Sequence, residues 1–120
     1  MKIEKYTDNR GSIMFASPEL IGFIYKYQTV GTINPGHKRG GHWHKILHKK
    51  MLCVLGDIKY TLRHNDSMHG AEGKLEQGEV LDIPPGYVVN FYNDGNDVVV
   101  FIEFKNVEHD ENDRFQDSYN

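Results

Sequence analysis

The sequence predicts an all-β domain, a sandwich or barrel, and three observations support that prediction. Its 120 residues make one domain of ordinary size, long enough to bury a core without disulfide bonds. Twelve glycines divide the chain into short pieces. The pieces between them are rich in β-branched and aromatic residues, which fit the pleated surface of a sheet.

The first half of the chain contains three predicted strands. Residues 23–30 are aromatic and β-branched, which is typical of a strand. Residues 51–55 form a solid apolar run and residues 58–63 alternate, which predicts two strands around the turn Gly56-Asp57. Periodicity alone would also allow a helix over residues 45–55, but the following Gly-Asp and the β-rich surroundings favour a strand.

The second half contains three more. The strand at 80–83 ends at residues 84–86, Pro-Pro-Gly, because proline cannot donate a hydrogen bond to a strand ladder. Strands at 87–92 and 98–104 follow, separated by the turn-like residues 93–97. Many short strands with glycine turns between them indicate a sandwich or barrel.

The chain divides into a barrel at residues 1–106 and a terminal segment at residues 107–120. The terminal segment carries five acidic residues and one basic residue, with few apolar side chains. This composition predicts an exposed acidic tail or a short helix.

Composition also limits the partners and the compartment. The 14 Lys and Arg against 17 Asp and Glu give a net charge of −3, so no general attraction to nucleic acid or to anionic membranes is expected. The longest apolar run, residues 51–55, is too short to span a membrane. The first residues lack the apolar stretch of a signal peptide, and the single Cys53 suits a reducing compartment. We therefore expect a cytoplasmic protein.

The unusual feature is histidine: there are seven, and four of them lie within residues 37–48. In a strand, His42 and His44 project from one face while Trp43 faces the other way. The local Lys and Arg residues suit an anionic small molecule, and Arg39 could bind a phosphate through two hydrogen bonds.

Two motifs give the sequence a resemblance to the cupin superfamily. The first runs from Gly36 through His42-Trp43-His44 and Lys49 to Gly56, and the second runs from Gly78 through Pro84-Pro85-Gly86 and Val89 to Asn93. The resemblance covers residues ~10–106 and implies a double-stranded β-helix, the small jelly-roll barrel of cupins, as a single domain.

The motifs depart from those of metal-dependent cupins, which hold an ion with two histidines, a glutamate and a third histidine. His42 and His44 match the first two ligands, but Lys49 stands at the glutamate position and Val89 at the last histidine position. A lysine cation repels a divalent metal, and valine has no lone pair to donate. We therefore expect neither a metal nor another cofactor.

Among cupins, residues 38–45 and the following apolar strand resemble the nucleotide-sugar 3,4-ketoisomerases that act on dTDP-4-keto-6-deoxyglucose. The turn at residues 8–12, Asp-Asn-Arg-Gly-Ser, is similar to one near the start of that family. The second motif resembles the cupin domain of capsular-polysaccharide reductases, which carry metal. Both relatives handle nucleotide-linked keto sugars, as do the related 3,5-epimerases.

The resemblance implies an isomerase or epimerase of a dTDP-, UDP- or GDP-linked 4-keto-6-deoxy sugar, in which histidines move protons without a metal. His42 is the candidate base, and His44 is a second acid or base, or orients the substrate. The predicted substrate-binding residues are Arg39, Lys49, Tyr25, Tyr27, Asn90 and Tyr92, with Glu103 a weaker candidate. Small cupins of this kind also imply a homodimer.

Two alternatives stay open at this stage. One is a metal-binding cupin that uses His42, His44 and a third ligand such as His37 or His48. The other is a cupin that binds a sugar nucleotide without turning it over.

Overall fold

A computed structural model describes residues 1–119, and it consists almost entirely of strands. The strands, in chain order, are β1 Lys5–Asp8, β2 Gly11–Met14, β3 Tyr27–Ile33, β4 Lys38–Trp43, β5 Lys49–Leu55, β6 Ile58–His64, β7 Ala71–Leu75, β8 Val80–Ile83, β9 Tyr87–Tyr92, β10 Val99–Lys105 and β11 Phe115–Gln116. One four-residue helix, α1 Pro18–Ile21, lies between β2 and β3. The predicted all-β class is confirmed. No helix within residues 1–119 is long and apolar enough to cross a membrane.

Two antiparallel sheets pack face to face. One has the strand order β3-β10-β5-β8 and the other β11-β4-β9-β6-β7, while β1 and β2 form a separate hairpin. The main core lies between the sheets, and both contribute to it: Ile33, Met51, Cys53, Ile58, Leu75, Leu81, Ile83, Val89, Phe91, Val99 and Phe101. This is the two-layer arrangement that the predicted jelly roll requires.

Two phenylalanines join the sheets near one end of the core. Phe91 of β9 and Phe101 of β10 have ring centroids 6.1 Å apart. Gly31 of β3 leaves room for the second ring, because a Cβ at that position would lie only 2.3 Å from it. All three residues also line a cavity between the sheets. The close packing therefore forms the apolar part of the cavity wall.

Strand β5 is buried on both faces, which explains its solid apolar run. Met51 and Cys53 point into the core between the sheets. Leu52 points the other way, into a second cluster with Ile3, Ile21 and Phe104. The N-terminal segment and α1 thus cover the outer face of the four-stranded sheet, and a strand covered on both sides does not need polar alternation.

Two predicted strands are placed differently by the structure. Strand β3 begins at Tyr27 rather than at Phe23, because Phe23 and Tyr25 pack against the second cluster instead of joining the sheet. Strands β5 and β6 both exist, but they pair in different sheets. Gly56-Asp57 therefore carries the chain from one sheet to the other and does not close a hairpin.

Residues 107–119 are mostly exposed, but they contain a short strand rather than a helix and lie against the barrel. Phe115 and Gln116 pair with Trp43 and His42 as strand β11, at the edge of the five-stranded sheet. Asp113 and Asp117 are buried, at 8% and 7% exposure. Their carboxylates can be buried because each accepts hydrogen bonds or pairs with a cation, which offsets the loss of water.

Candidate functional site

A cavity of about 410 Å³ opens between the two sheets at one end of the barrel. This volume is within the range of small-molecule sites. Its wall combines apolar residues of the core with ionisable side chains and with part of the C-terminal segment. The lining residues are Thr29, Val30, Gly31, Arg39, Gly40, His42, His44, Leu47, Lys49, Phe91, Phe101, Glu103, Lys105, Val107, Glu108, His109, Asp110, Asp113 and Arg114.

The predicted convergence of His42 and His44 is present in the structure. Both side chains line the cavity, with ring centroids 5.3 Å apart and ring planes 82° apart. Trp43, between them, faces away and stacks on Phe115 at a centroid distance of 4.7 Å. The alternation of a strand therefore places two imidazoles on one wall.

A β-bulge aims His42 into the cavity. The register between β4 and β9 shifts between Gly40 and His42, where Gly40 and Gly41 have φ of +103° and +88°. These angles favour glycine. A Cβ on Gly40 would also lie 2.2 Å from the carbonyl oxygen of Val89, so glycine is required for β4 to approach β9 here. Bulges of this kind re-aim side chains next to functional sites.

Lys49 lies inside the cavity, as predicted, and forms an ion pair there. Its Nζ is 2.9 Å from Oε2 of Glu103, and both side chains are largely buried, at 10% and 12% exposure. Lys105 Nζ lies 3.9 Å from the other oxygen of the same carboxylate. Burial lowers the pKa of Lys105, although Glu103 acts in the opposite direction. One carboxylate is thus shared by two ammonium groups.

The surroundings keep both imidazoles neutral at neutral pH. Burial, followed by the positive charges of Arg114 and Lys49, lowers the pKa of His42 to about 4. Burial also lowers the pKa of His44, partly offset by its hydrogen bond to the carbonyl of Asp113. A neutral imidazole has a free lone pair, so each of these residues can accept a proton.

The cavity is not uniformly basic, although Lys and Arg residues lie next to its histidines in the sequence. Its ionisable lining, besides histidine, is balanced between cations and acids: Arg39, Lys49, Lys105 and Arg114 against Glu103, Glu108, Asp110 and Asp113. The segment 107–114 contributes three of the acids. Arg39 is exposed at the cavity wall, and its Nε donates to the carbonyl of Thr32 at 2.9 Å.

The two predicted tyrosines before and at the start of β3 do not line the cavity. Tyr25 packs on the ring of Phe104 at 4.7 Å and donates to the carbonyl of Ala16 at 3.3 Å, on the outer face of the sheet. Tyr27 lies beside the cavity, where its ring is 5.3 Å from the Nζ of Lys105. Tyr27 thus supports a lining residue, and Tyr25 belongs to the second cluster.

Asn90 and Tyr92 also lie outside the cavity, and strand parity explains why. Phe91, between them on β9, lines the cavity. Its two neighbours therefore project from the opposite face of the sheet. Of the six predicted substrate-binding residues, the structure brings Arg39 and Lys49 to the cavity.

The donors in the cavity do not fit a divalent metal. His42 and His44 are two nitrogen donors, but the carboxylate of Glu103 is paired with Lys49, and Val89 is buried in the core. His48 instead pairs with Asp82 and stacks on Phe23. Within residues 1–119, no group of three or more His, Cys, Asp or Glu side chains is arranged to hold an ion.

The C-terminal segment supplies site residues that sequence reasoning missed. Asp113 accepts a hydrogen bond from Nδ1 of His44 through its backbone carbonyl, and Arg114 and His109 line the cavity. A run of acids gives no periodic signal for such contacts. The one hint is Phe115, an aromatic residue in a polar segment, which packs on Trp43.

Comparison with known families gives a match that covers nearly all of the chain. Residues 6–119 match the model of the polysaccharide biosynthesis C-terminal domain. A search of curated proteins finds no match.

Several solved structures are similar. The 3,4-ketoisomerase QdtA from Thermoanaerobacterium thermosaccharolyticum, a double mutant in complex with TDP, is 25% identical with a TM-score of 0.78, over 95% of this chain and 83% of that chain. CapF, the capsular polysaccharide assembling protein of Staphylococcus aureus, is 29% identical with a TM-score of 0.71, over 97% of this chain and 32% of that chain. The dTDP-6-deoxy-D-glucose-3,5-epimerase RmlC of Legionella pneumophila is 16% identical with a TM-score of 0.75, over 96% of this chain and 69% of that chain. At this identity the similarity supports the fold alone.

The predicted cupin resemblance is confirmed by these matches. The matched residues include both packed sheets, strand β11 among them, so the family model covers the terminal segment together with the histidine-lined cavity. The chain belongs to the polysaccharide biosynthesis C-terminal domain family.

Proposed function

We propose that the protein is an isomerase or epimerase of a nucleotide-linked 4-keto-6-deoxy sugar, and that it moves protons without a metal. The observation that carries the proposal is the pair His42 and His44, two neutral imidazoles 5.3 Å apart on one wall of a cavity. Two imidazoles on one wall of a cavity suit proton transfer to and from a bound substrate.

The relatives support the substrate class. QdtA is a 3,4-ketoisomerase solved with TDP, and CapF assembles capsular polysaccharide. This chain spans about a third of CapF, so CapF supports the polysaccharide context rather than a particular reaction. We propose a dTDP-, UDP- or GDP-linked sugar, held with Arg39 at its anionic part.

The proposed reaction needs only proton transfers. A C–H bond beside the keto group is acidic, and neutral His42 takes that proton, leaving an enolate or enediolate. For a ketoisomerisation, Nε2 of His44 takes the hydroxyl proton of the deprotonated carbon and passes it to the former keto oxygen, and protonated His42 gives its proton to the neighbouring carbon, which moves the keto group. For an epimerisation, His42 releases its proton to water, and an imidazole that has taken a proton from water protonates the opposite face of the same carbon, which inverts it. No electrons enter or leave, so the reaction requires no redox partner.

Lys49 is the group that stabilises the developing negative charge. Its ammonium lies in the cavity, is largely removed from water and is held in place by Glu103. A fixed cation in such a site stabilises an enolate oxygen without having to reorganise during the reaction.

We further propose that the protein is a cytoplasmic homodimer that assembles through the β1–β2 hairpin. This hairpin forms its own two-stranded sheet, and it exposes Tyr6, Ile13 and Phe15 at 58%, 59% and 62%. A lone two-stranded hairpin is marginally stable in water, and covering its apolar side chains with a second copy would stabilise it. The single, buried Cys53 suits a reducing compartment.

The dimer is tested by light scattering. We expect twice the chain mass of 13.9 kDa for the native protein and a shift towards 13.9 kDa for Ile13→Lys, which places a charge on the apolar hairpin. Ile46→Lys is the control, since Ile46 is equally exposed, at 63%, but lies elsewhere on the surface. A monomeric native protein would contradict the proposal.

The reaction is tested by hydrogen exchange into the sugar. In heavy water the native protein should introduce deuterium into the ring of a 4-keto-6-deoxy sugar nucleotide, as measured by NMR. His42→Asn should slow this exchange by at least about a hundredfold, because it removes the base. If no dTDP-, UDP- or GDP-linked keto sugar exchanges, the proposed reaction is wrong; thermal stabilisation by these ligands without exchange would then identify a binding protein.

The pH dependence of the exchange follows from the lowered pKa of His42. A base with a pKa of about 4 stays unprotonated down to acidic pH, so the exchange rate should change little between pH 7.5 and 5.5 and fall as the pH approaches 4. For a histidine of ordinary pKa, the unprotonated fraction would fall about tenfold between pH 7.5 and pH 5.5. An acid limb centred near pH 6.5, with circular dichroism showing a folded protein, would contradict the assignment of His42.

The role of Lys49 is tested against its neighbour. Lys49→Gln should slow the exchange by about a hundredfold, through loss of the cation beside the enolate. Lys50→Gln is the matched control, because Lys50 lies on the opposite face of β5, near the ring of Phe23, and should leave the rate unchanged. Equal effects of the two substitutions would show that Lys49 acts only through overall charge.

A further inference from the structure

We propose that Asp113 is a positioning residue, through which the C-terminal segment holds His44 in one tautomer for proton transfer. The segment concerned is residues 107–117, which we call the strap, since it closes one wall of the cavity and then joins the sheet as β11. The inference rests on the proposed function for its purpose, but the contact and its effect on His44 can be tested separately.

The first contact fixes where the proton of His44 lies. Nδ1 of His44 is hydrogen-bonded to the backbone carbonyl oxygen of Asp113. A carbonyl can only accept, so Nδ1 carries the hydrogen. The neutral ring then has its lone pair on Nε2, and Nε2 is the atom of His44 that is left for proton transfer.

The second contact fixes the chain that follows His44. The carboxylate of Asp113 accepts hydrogen bonds from the backbone N–H groups of Lys45, Ile46 and Leu47, at 2.7, 3.1 and 3.0 Å. These three bonds lower the pKa of Asp113 below its ordinary value, although burial acts in the opposite direction. One residue therefore holds both the ring of His44 and the loop that carries it.

The strap is anchored just beyond Asp113. Phe115 stacks on Trp43 and lies 4.8 Å from the Nζ of Lys45, while Asp117 forms a buried ion pair with Arg63. The backbone N–H of Asp117 also donates to the carbonyl of Gly41 at 3.3 Å. The Phe115 stack and the backbone bond of Asp117 do not need the Asp117 carboxylate, and they hold the strap to residues 41–45, so the carbonyl of Asp113 keeps its place against the imidazole.

Loss of the Asp113 carboxylate should release the loop and loosen the bond to His44. The ring would then exchange between its two tautomers, and Nε2 would carry the hydrogen for part of the time. A charge removed elsewhere in the strap should not have this effect. Asp117 is the matched control, because it is an equally buried acid of the same segment, but it holds Arg63 and does not contact the His44 loop.

The tautomer is read directly by NMR of protein labelled with ¹⁵N-histidine, with His44→Gln to assign the signals. In the native protein at pH 7 we expect a protonated Nδ1 and an unprotonated Nε2 on His44. Asp113→Ala should shift both nitrogens towards averaged values, while Asp117→Ala should lower the thermal stability and leave them unchanged. A protonated Nε2 in the native protein, or the same shifts in both variants, would overturn the proposal.

A second variant and a kinetic readout separate positioning from folding. Asp113→Asn keeps one acceptor oxygen, and it replaces the alanine variant if that variant fails to fold. It should show a smaller change in the His44 signals. In the exchange assay we expect Asp113→Ala to lower kcat by about tenfold or more at unchanged KM. If the native protein catalyses no exchange, the proposed function fails, yet the nitrogen shifts still decide whether Asp113 sets the tautomer.

Discussion

The ion pair between Lys49 and Glu103 is the interaction on which the chemistry of the cavity depends. Two charges buried side by side are stable only because each compensates the other. Because the ammonium of Lys49 is paired with the carboxylate of Glu103, that carboxylate does not join His42 and His44 as a third metal ligand. The same ammonium helps to keep His42 unprotonated and is available to a developing negative charge. Lys49, together with Val89 at the other departing position, therefore gives a wall suited to proton transfer rather than to metal ligands.

The fold could be predicted largely from local pattern, because most of its strands carry their own signal. Strand β5 shows both the strength and the limit of that signal. Its apolar run predicts burial, but only the structure shows that α1 and the N-terminal segment cover its second face. Residues 23–26 mislead for the same reason: aromatic side chains fit a sheet interior and the cover over a sheet equally well, and composition does not distinguish them.

Within the site, the direction of three predicted residues follows from one strand each, and these residues line the cavity. His42 and His44 converge because they alternate around Trp43, and Lys49 faces inward on β5. Asn90 and Tyr92 could not be placed in this way, since their direction depends on which face of β9 meets the opposite sheet. That choice is made by Phe91, which packs on Phe101 of the other layer.

The C-terminal segment lay beyond local reasoning because every contact that orders it is distant in sequence. Asp113 meets residues 66 to 69 positions away, and Asp117 meets Arg63 at a separation of 54. The sequence around an acidic residue does not show whether its carboxylate binds backbone N–H groups or is solvated by water. Burial of Asp113 joins the C-terminal segment to the loop after β4. The cavity is therefore complete only when these two parts of the chain, far apart in sequence, are in contact. The electrostatics of His42, to which Arg114 contributes, is therefore a property of the completed fold rather than of the histidine motif.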